Sequence, residues 1–330
     1  MRQELLDVLA CPACGGPLVA GATLSCAACA AVYTTRGGIP DLRLPGDERS
    51  DAVREFYAVA PFPGYPQRFS LSALRARAGR SELARALDAA IPGDARVLEV
   101  GCGTGQMSLY LATADRLVVG ADFQRASLAL GRAAAERFAV EGVAFVETDL
   151  RRPGLRAGAF DVVLALGCLH HTPDPRKSFA AIARLVRPGG VVVITLYHSL
   201  ARLPHRLRRG VARLFKYKLV PFDPILRDRA AEPARRDAWL RDQYLHPEEH
   251  RHLLGEVRRW FRENDVAFVR TLPPCLFGSP ELDPSEAGEL FEPAGDDWRF
   301  EEALTQVRWI PLLAAEGGVF ATIGRRASAA

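Results

Sequence analysis

The chain has 330 residues, of which 48% are hydrophobic and 25% are charged, and its formal net charge is +4. This composition excludes a largely disordered chain, and the length suffices for about two domains. The net charge is too small to indicate a general nucleic-acid binder, so any basic surface must be local. The longest apolar runs, such as residues 191–196, are far shorter than the roughly 20 residues of a membrane span. Since the N-terminus also lacks the apolar region of a signal peptide, we expect a soluble cytoplasmic protein.

Four of the seven cysteines lie within the first 30 residues, as two Cys-x-x-Cys pairs separated by 11 residues. The four are Cys11, Cys14, Cys26 and Cys29. Pairs at this spacing can bring four thiolates around one tetrahedral zinc ion. Two disulfides are the alternative, which a chain without an export signal disfavours. Four protein ligands leave no open coordination position, so residues 1–45 are predicted to form a zinc ribbon with structural Zn²⁺.

The stretch that follows the second cysteine pair reads Val-Tyr-Thr-Thr-Arg-Gly-Gly-Ile-Pro-Asp. Together with the cysteines, it resembles the small zinc-ribbon proteins of the Trm112-like family, over about residues 1–44. In that family the ribbon often serves as an activator or docking partner of a methyltransferase. The resemblance therefore implies such a ribbon, here fused to a second domain in the same chain.

From residue 92 onwards, buried strands alternate with helical segments. Strands are predicted at 96–100, 116–122, 143–149, 160–166 and 190–197, with further strands at 266–272 and 318–324. This rhythm predicts an α/β fold, with a Rossmann-like, doubly wound sheet of seven strands. The predicted organisation is a linker and helical lid (46–91), a core (92–199), a helical insertion (200–262) that caps the acceptor pocket, and closing strands (263–330).

A glycine-rich turn connects the first predicted strand of the core to its helix. Gly101, Gly103 and Gly105 would let the backbone approach a ligand and point helix N-terminal amides at it. Asp122, at the end of the second strand, is placed to accept hydrogen bonds from both hydroxyls of a ribose. Asp149 closes the third strand, where a carboxylate can accept from an adenine amine. The spacing Gly-x-Gly-x-Gly and the preceding Glu99 favour S-adenosylmethionine, which carries an ammonium group, over the pyrophosphate of a dinucleotide.

These motifs resemble, in order, those of class I S-adenosylmethionine-dependent methyltransferases. The sequence from Gly167 to Pro175 and the later motif Leu-Val-Arg-Pro-Gly-Gly resemble those of the branch that includes ubiquinone and menaquinone methyltransferases. The resemblance implies displacement at the methyl carbon of the cofactor. The predicted cofactor-binding residues are Glu99, Gly101, Cys102, Gly103, Gly105, Asp122, Phe123, Asp149, Leu150 and Leu166.

The candidate acceptor site follows the fourth strand, where His170 and His171 are predicted near the transferring methyl group. A neutral imidazole there could act as a general base, and the alternative is a histidine that only shapes the loop. Substrate contacts are predicted for Tyr57, Tyr65, Tyr197 and His198. The aromatic faces of the first two could instead form a simple hydrophobic plug.

Residues 201–218 contain seven basic residues and no acidic one, with apolar residues at three-to-four spacing. This pattern predicts a basic amphipathic helix. Three roles stay open: an apolar face packed on the domain with a solvated basic face, attraction of an anionic acceptor such as a phosphate-bearing lipid or RNA, and docking of a partner. His246, His250 and His252 are predicted to lie in a polar loop that contributes to the acceptor pocket, because Pro247 disrupts helical metal-ligand spacing.

The favoured function is methyl transfer to a small-molecule, lipid-like or biosynthetic-intermediate acceptor. An RNA methyltransferase is the first alternative, since a zinc ribbon before a methyltransferase also resembles ribosomal RNA guanine methyltransferases. Their metal cluster includes a histidine, which this ribbon lacks, and the basic residues form one helix and not an extended groove. A cofactor-binding adaptor that docks a partner is the second alternative.

Overall fold

A seven-stranded sheet lies at the centre of the protein, which a computed structural model describes over residues 2–45, 64–227, 233–246, 248–275, 289–293, 299–313 and 317–328. Its strands, in chain order, are β6 (Arg96–Val100), β7 (Leu117–Asp122), β8 (Val143–Glu147), β9 (Phe160–Leu166), β10 (Val186–Tyr197), β11 (Val266–Leu272) and β12 (Val319–Arg326). Their spatial order is β11-β12-β10-β9-β6-β7-β8. Strands β6 to β10 are parallel, and β12 runs antiparallel to β10 and β11. The predicted fold class is confirmed.

The strands form where short apolar runs can be buried on both faces of a parallel sheet. In β10, the segment Val191 to Leu196 is buried. The chain adds β7 and β8 on one side of β6 and then adds β9 and β10 on its other side, so the strand order reverses between β6 and β9. Ligands bind at such a switch point, beyond the carboxyl ends of the strands. The turn after β6 and the loop after β9 are therefore brought together where a site is expected.

Helices cover the sheet and build the region after β10. The helices before β10 are α1 (Gln3–Val8), α2 (Leu71–Ala78), α3 (Glu82–Ala90), α4 (Gln106–Leu111), α5 (Arg125–Arg137) and α6 (Pro175–Ala183). Those after it are α7 (Leu203–Leu214), α8 (Pro224–Arg227), α9 (Pro233–Leu240), α10 (Leu254–Glu263) and α11 (Arg299–Leu313). A π-helical turn over Arg241–Leu245 extends α9. The helical nature predicted for the segment after residue 200 is thus observed in its described part.

The N-terminal ribbon packs onto the β8 edge of the sheet. It consists of α1, then β1 (Leu18–Ala20), β2 (Leu24–Cys26), β3 (Val32–Tyr33), β4 (Thr35–Arg36) and β5 (Ile39–Pro40). The amide of Leu42 donates to the carbonyl of Glu147 at 2.8 Å, and Asp41 forms a parallel β-bridge with the same residue. Leu9 forms an antiparallel bridge with Leu155. The ribbon therefore continues the sheet at an edge strand that would otherwise expose unpaired backbone groups.

The apolar interior of the ribbon is continuous with the core of the sheet. Val8, Leu9 and Leu42 are completely buried and belong to the same cluster as Val146. A ribbon of this size cannot bury a core of its own. Its folding and that of the sheet edge should therefore be coupled.

A buried carboxylate forms an ionic link across this contact. The side chain of Glu147 is 1% exposed and pairs with Arg43 of the ribbon at 3.0 Å and with Arg125 of α5 at 2.8 Å. Arg125 also donates to the carbonyl of Arg36. The pattern of strands and helices in the sequence does not predict this ionic link, because each of the three residues by itself resembles an ordinary surface charge.

We expect Arg125→Gln to lower the free energy of unfolding by about 1–3 kcal/mol, because it leaves the buried Glu147 carboxylate with one cationic partner. Adding Glu147→Gln should recover part of the loss by removing the buried charge. Urea unfolding measures both effects. Lys177→Gln is the matched control, since its pair with Asp174 is exposed and should contribute under about 0.5 kcal/mol. A loss as small as that of the control would contradict the proposed ionic link.

The basic helix α7 does not pack as the first of its three roles requires. His205 and Ala212 face the protein and are buried, whereas Leu207 and Leu214 are 74% and 81% exposed. The expectation that the apolar face packs on the domain is therefore wrong. The inward-facing polar side chains of α7 explain this orientation, because they contact buried acidic and aromatic residues.

None of the helices in the described ranges is long and apolar enough to cross a membrane.

Candidate active site

The glycine turn after β6 adopts a backbone conformation that other residues disfavour. Gly101, Gly103 and Gly105 have φ angles of +66°, +54° and +74°. A Cβ atom on Gly101 would lie 2.4 Å from that of Cys168, in the loop after β9. A Cβ on Gly103 would meet no described atom within 4 Å. The turn thus packs tightly against the second loop at one end and leaves space beside the backbone at Gly103.

Asp122 is anchored at the end of β7 so that both carboxylate oxygens are fixed. One accepts from the amide of Gly103 and the other from the amide of Gln124, each at 2.8 Å. Burial raises the pKa of Asp122 to about 6, against the opposing effect of these two amides. Each oxygen keeps a second lone pair, which a ligand hydroxyl could use.

Glu99 is a second buried carboxylate, one residue before the end of β6. It is 6% exposed, and the Ser108 hydroxyl of α4 donates a hydrogen bond to it. Burial raises the pKa of Glu99 to about 7, although the Ser108 contacts lower it. Among the described residues, no cationic side chain pairs with Glu99 or Asp122. A cationic ligand would therefore satisfy a site that the protein itself leaves without positive charge.

The remaining predicted cofactor residues lie around this turn or at neighbouring strand ends. Cys102 is buried in the turn, Phe123 is half-buried directly after Asp122, and Leu166 is half-buried at the end of β9. Asp149 and Leu150 follow β8. The Asp149 carboxylate pairs with Arg151 at 2.7 Å, so an adenine amine would share it with a guanidinium. Their contacts with a cofactor stay predictions.

The loop after β9 and the end of β10 form a buried cluster of rings, here called the histidine–tyrosine cluster: His170, His171, Tyr197 and His246. The ring centroids of His170 and Tyr197 are 3.8 Å apart, as are those of His171 and His246. The Gln243 side-chain amide donates to the Tyr197 hydroxyl at 2.8 Å. Cys168 packs on Gly101 of the glycine turn, and the cluster begins two residues further along the chain, at His170.

Both histidines after β9 are held in the neutral form. Burial lowers the pKa of His170 well below its usual range, and burial lowers that of His171 to about 4. In His171, Nδ1 donates to the Glu248 carbonyl at 2.8 Å, so Nε2 carries the lone pair of the neutral ring and lies 3.8 Å from a carboxylate oxygen of Asp242. The Nδ1 atom of His170 is buried without a hydrogen-bond partner among the described residues. Because a low pKa makes an imidazole a weak base, these atoms would take up only a proton that becomes strongly acidic as the methyl group is transferred.

A buried arginine closes one side of the cluster, and the sequence reading missed it. Arg202 is completely buried, with its guanidinium 3.7 Å from the Tyr197 ring centroid. It pairs with the buried carboxylate of Glu249 at 3.0 Å. Because Arg202 belongs to the predicted basic helix, the sequence suggested a solvated side chain. Its pair with Glu249 was not predicted, because the two residues are far apart in the sequence.

Two predicted substrate residues lie elsewhere than the acceptor cluster. Tyr65 donates from its hydroxyl to the carbonyl of Thr104, at 2.7 Å, and so supports the glycine turn. His198 accepts from the Ala201 amide at Nδ1 and contacts the Gln306 side chain through Nε2. Since both ring nitrogens are engaged, this geometry favours a structural role for His198. Tyr57 lies outside the described residues.

The four ribbon cysteines converge as the spacing predicts. The Sγ atoms of Cys11 and Cys29 are 3.7 Å apart, those of Cys14 and Cys26 are 3.5 Å apart, and all four lie within 4.8 Å of one another. Tetrahedral zinc with Zn–S bonds of about 2.3 Å requires separations near 3.8 Å. All four thiols are free. Within the described part of the chain, this is the only cluster of three or more such ligands.

Comparison with known protein families identifies two regions of the chain. The methyltransferase domain family matches residues 98–194, and the Trm112p-like family matches residues 2–38. Residues 98–194 form a methyltransferase domain. Residues 2–38 form a Trm112-like region, and the resemblances predicted from the sequence are confirmed.

The chain is also similar to curated proteins and to solved structures. An uncharacterized protein of Synechococcus sp. is 27% identical over 219 residues, which cover 57% of this chain and 52% of that protein. The ubiquinone biosynthesis O-methyltransferase of Cronobacter sakazakii is 32% identical over 160 residues, covering 48% and 64%. This chain therefore spans about half to two thirds of the length of these relatives. The structure of magnesium protoporphyrin IX methyltransferase from Synechocystis is 16% identical, with a TM-score of 0.48, and the match covers 85% of this chain and 100% of that one.

The methyltransferase domain implies S-adenosylmethionine, and the residues present fit it. The cofactor carries a sulfonium, an ammonium and two ribose hydroxyls. The turn offers open space at Gly103, two buried carboxylates without cationic partners, and helix amides at the N-terminus of α4. Asp122 would hold the ribose and Glu99 would favour the positive charge. The Trm112-like region with four converging thiols likewise fits structural zinc.

The raised pKa values of these carboxyls predict a pH dependence of cofactor binding. As pH falls through about 7 and 6, Glu99 and then Asp122 take up protons and lose the negative charge that attracts the cofactor. We expect the S-adenosylmethionine affinity to fall at least about tenfold between pH 7.5 and pH 5.5, measured by isothermal titration calorimetry. Glu99→Gln should flatten the upper part of this profile. An unchanged profile in that variant would contradict the assignment.

Proposed function

We propose that this chain is an S-adenosylmethionine-dependent methyltransferase with a small-molecule acceptor. The observation that carries this proposal is the buried histidine–tyrosine cluster, which begins two residues after Cys168, the residue that packs on the glycine turn of a methyltransferase domain. Relatives named as ubiquinone biosynthesis O-methyltransferases support an acceptor of this class. Contact with these buried rings suits a compact aromatic or lipid-like molecule better than a folded polymer.

The chain's residues would position the acceptor and take up its proton. When bound, the cofactor supplies an electrophilic methyl group on a sulfonium. Tyr197 and His170 would stack on or beside the acceptor, and neutral His170 would accept a proton at Nδ1 from an acceptor hydroxyl. Burial of the cluster excludes water, and orientation alone can supply a large part of the rate. His171 would hold the loop through its bond to Glu248.

The proposed location is the cytoplasm, where four unpaired cysteines can remain reduced and bind zinc. The relatives support a biosynthetic setting.

The experiment that tests the function uses S-adenosylmethionine with a labelled methyl group, the purified full chain and fractionated bacterial extract. Label in small-molecule or lipid fractions is expected, and Asp122→Ala should abolish it at equal protein concentration. Label in RNA would replace the proposed acceptor class with the RNA alternative. Tight cofactor binding without transfer to any fraction would favour the adaptor.

A further inference from the structure

The helix α7 presents its apolar face away from the protein. Leu203, Leu207, Val211 and Leu214 are 40%, 74%, 38% and 81% exposed. They recur at three- and four-residue spacing, so they form one stripe along the helix. Phe215, Leu219 and Phe222, which follow the helix in sequence, are exposed as well. This is a contiguous apolar surface, unlike the single exposed apolar residues that are normal on proteins.

The inward face of α7 explains why the leucines point outward. His205 and Ala212 are buried, and the ring of His205 lies 4.6 Å from that of Tyr244. Arg209 reaches inward to Glu249 at 2.8 Å, next to the buried pair of Arg202 and that same carboxylate. Packing and ionic contacts therefore fix the rotation of the helix. The exposure of its apolar face follows from these contacts and is not the result of a loosely placed helix.

Positive charge flanks the apolar stripe. Arg206, Arg213, Lys216 and Lys218 are exposed, and residues 201–218 contain no acidic side chain. An apolar stripe bordered by Lys and Arg is the pattern of a helix that lies in the interface of an anionic bilayer. The apolar side chains enter the acyl boundary, while the cations contact lipid phosphates.

We propose that the α7 face, residues 203–222, docks onto the surface of a bilayer that contains anionic lipids. Other occupants suit the face less well. A second copy of the chain packed symmetrically on this stripe would bring two sets of four exposed cations together. An RNA would use the cations but leave the leucines in water. Because α7 begins six residues after Tyr197, docking would hold the histidine–tyrosine cluster close to the lipid surface.

Vesicle co-sedimentation of the full chain tests this proposal without relying on catalysis. The probes are vesicles of phosphatidylcholine alone and of phosphatidylcholine with 30% phosphatidylglycerol. We expect binding to the anionic vesicles that weakens steeply with salt. Leu207→Ser with Leu214→Ser should lower the partition coefficient about tenfold or more, because both exposed side chains lose apolar contact with lipid. Arg206→Gln with Arg213→Gln should lower it by a similar factor and reduce the salt dependence.

The matched control is Val19→Ser with Val32→Ser, which removes two exposed apolar side chains, 54% and 61% exposed, from the ribbon. It should leave vesicle binding unchanged. Equal binding of the leucine variant and the wild type would overturn the proposal, as would absence of wild-type binding to anionic vesicles. So would a dimer of the wild type that the leucine variant converts to a monomer, since the stripe would then join two copies. RNA binding that depends on the arginines but not on the leucines would assign the face to RNA.

Discussion

Replacing Asp122 with alanine is expected to weaken S-adenosylmethionine binding by about 100- to 1,000-fold. In the proposed site, this carboxylate accepts two hydrogen bonds from ribose hydroxyls, and a hydrogen bond to a charged group contributes about 1.5–3 kcal/mol. The substitution also frees the amides of Gly103 and Gln124, which now bind the two carboxylate oxygens. The glycine turn should therefore lose both its ligand contact and its anchor.

Isothermal titration calorimetry with the cofactor measures this loss, and thermal unfolding checks that the variant is folded. Asp122→Asn should have an intermediate effect, since its amide retains one acceptor oxygen but places a donor against a backbone N–H. Glu136→Gln is the matched control, because it removes an exposed carboxylate whose partner is Arg132 on the same helix. An Asp122→Ala affinity within about threefold of the control would show that Asp122 does not bind the cofactor.

The sequence predicted the sheet and the glycine turn because both depend on local patterns. Runs of buried residues separated by helical segments predict parallel strands, and glycines at a strand–helix junction predict positive φ angles. Asp122 was found in the same way, from its place at a strand end. The N-terminal cysteines required only their spacing. Each of these signals is contained in a few consecutive residues.

The features that the sequence did not predict depend on contacts between distant segments. Arg202 and Glu249 lie 47 positions apart within the helical insertion, and nothing near either residue indicates a buried pair. The docking of Leu42 on Glu147 depends on a pairing register between the ribbon and an edge strand. Tyr197 is the last residue of β10 and His198 follows it directly, so their side chains are expected to point to opposite sides. This alternation disfavours contact of both with one acceptor, and the two contacts stay predictions.

Removing zinc is expected to destabilise the methyltransferase domain as well as the ribbon. The thiolates hold α1 and the strands of the ribbon in place, and that ribbon buries Val8, Leu9 and Leu42 in the cluster that contains Val146 of β8. Full burial of each such side chain contributes about 1.5–3 kcal/mol, partly offset by the entropy of ordering the ribbon. We expect chelation or Cys14→Ser to lower the free energy of unfolding by at least about 3 kcal/mol, which corresponds to a decrease in Tm of at least about 5 °C.

Colorimetric titration measures the zinc content, and circular dichroism measures the thermal unfolding that zinc removal is expected to change. A chelator added to Cys14→Ser should cause no further decrease in Tm, which separates loss of the ribbon metal from other effects of the chelator. The sheet edge at β8 would then be uncovered, with the amide of Leu42 lost from the Glu147 carbonyl and Arg43 lost from its carboxylate. A main unfolding transition that keeps its Tm after complete zinc removal would mean that the ribbon folds as a separate unit. The shared apolar cluster and the shared ion pair argue for the opposite result, because neither half can unfold without exposing the other's buried groups.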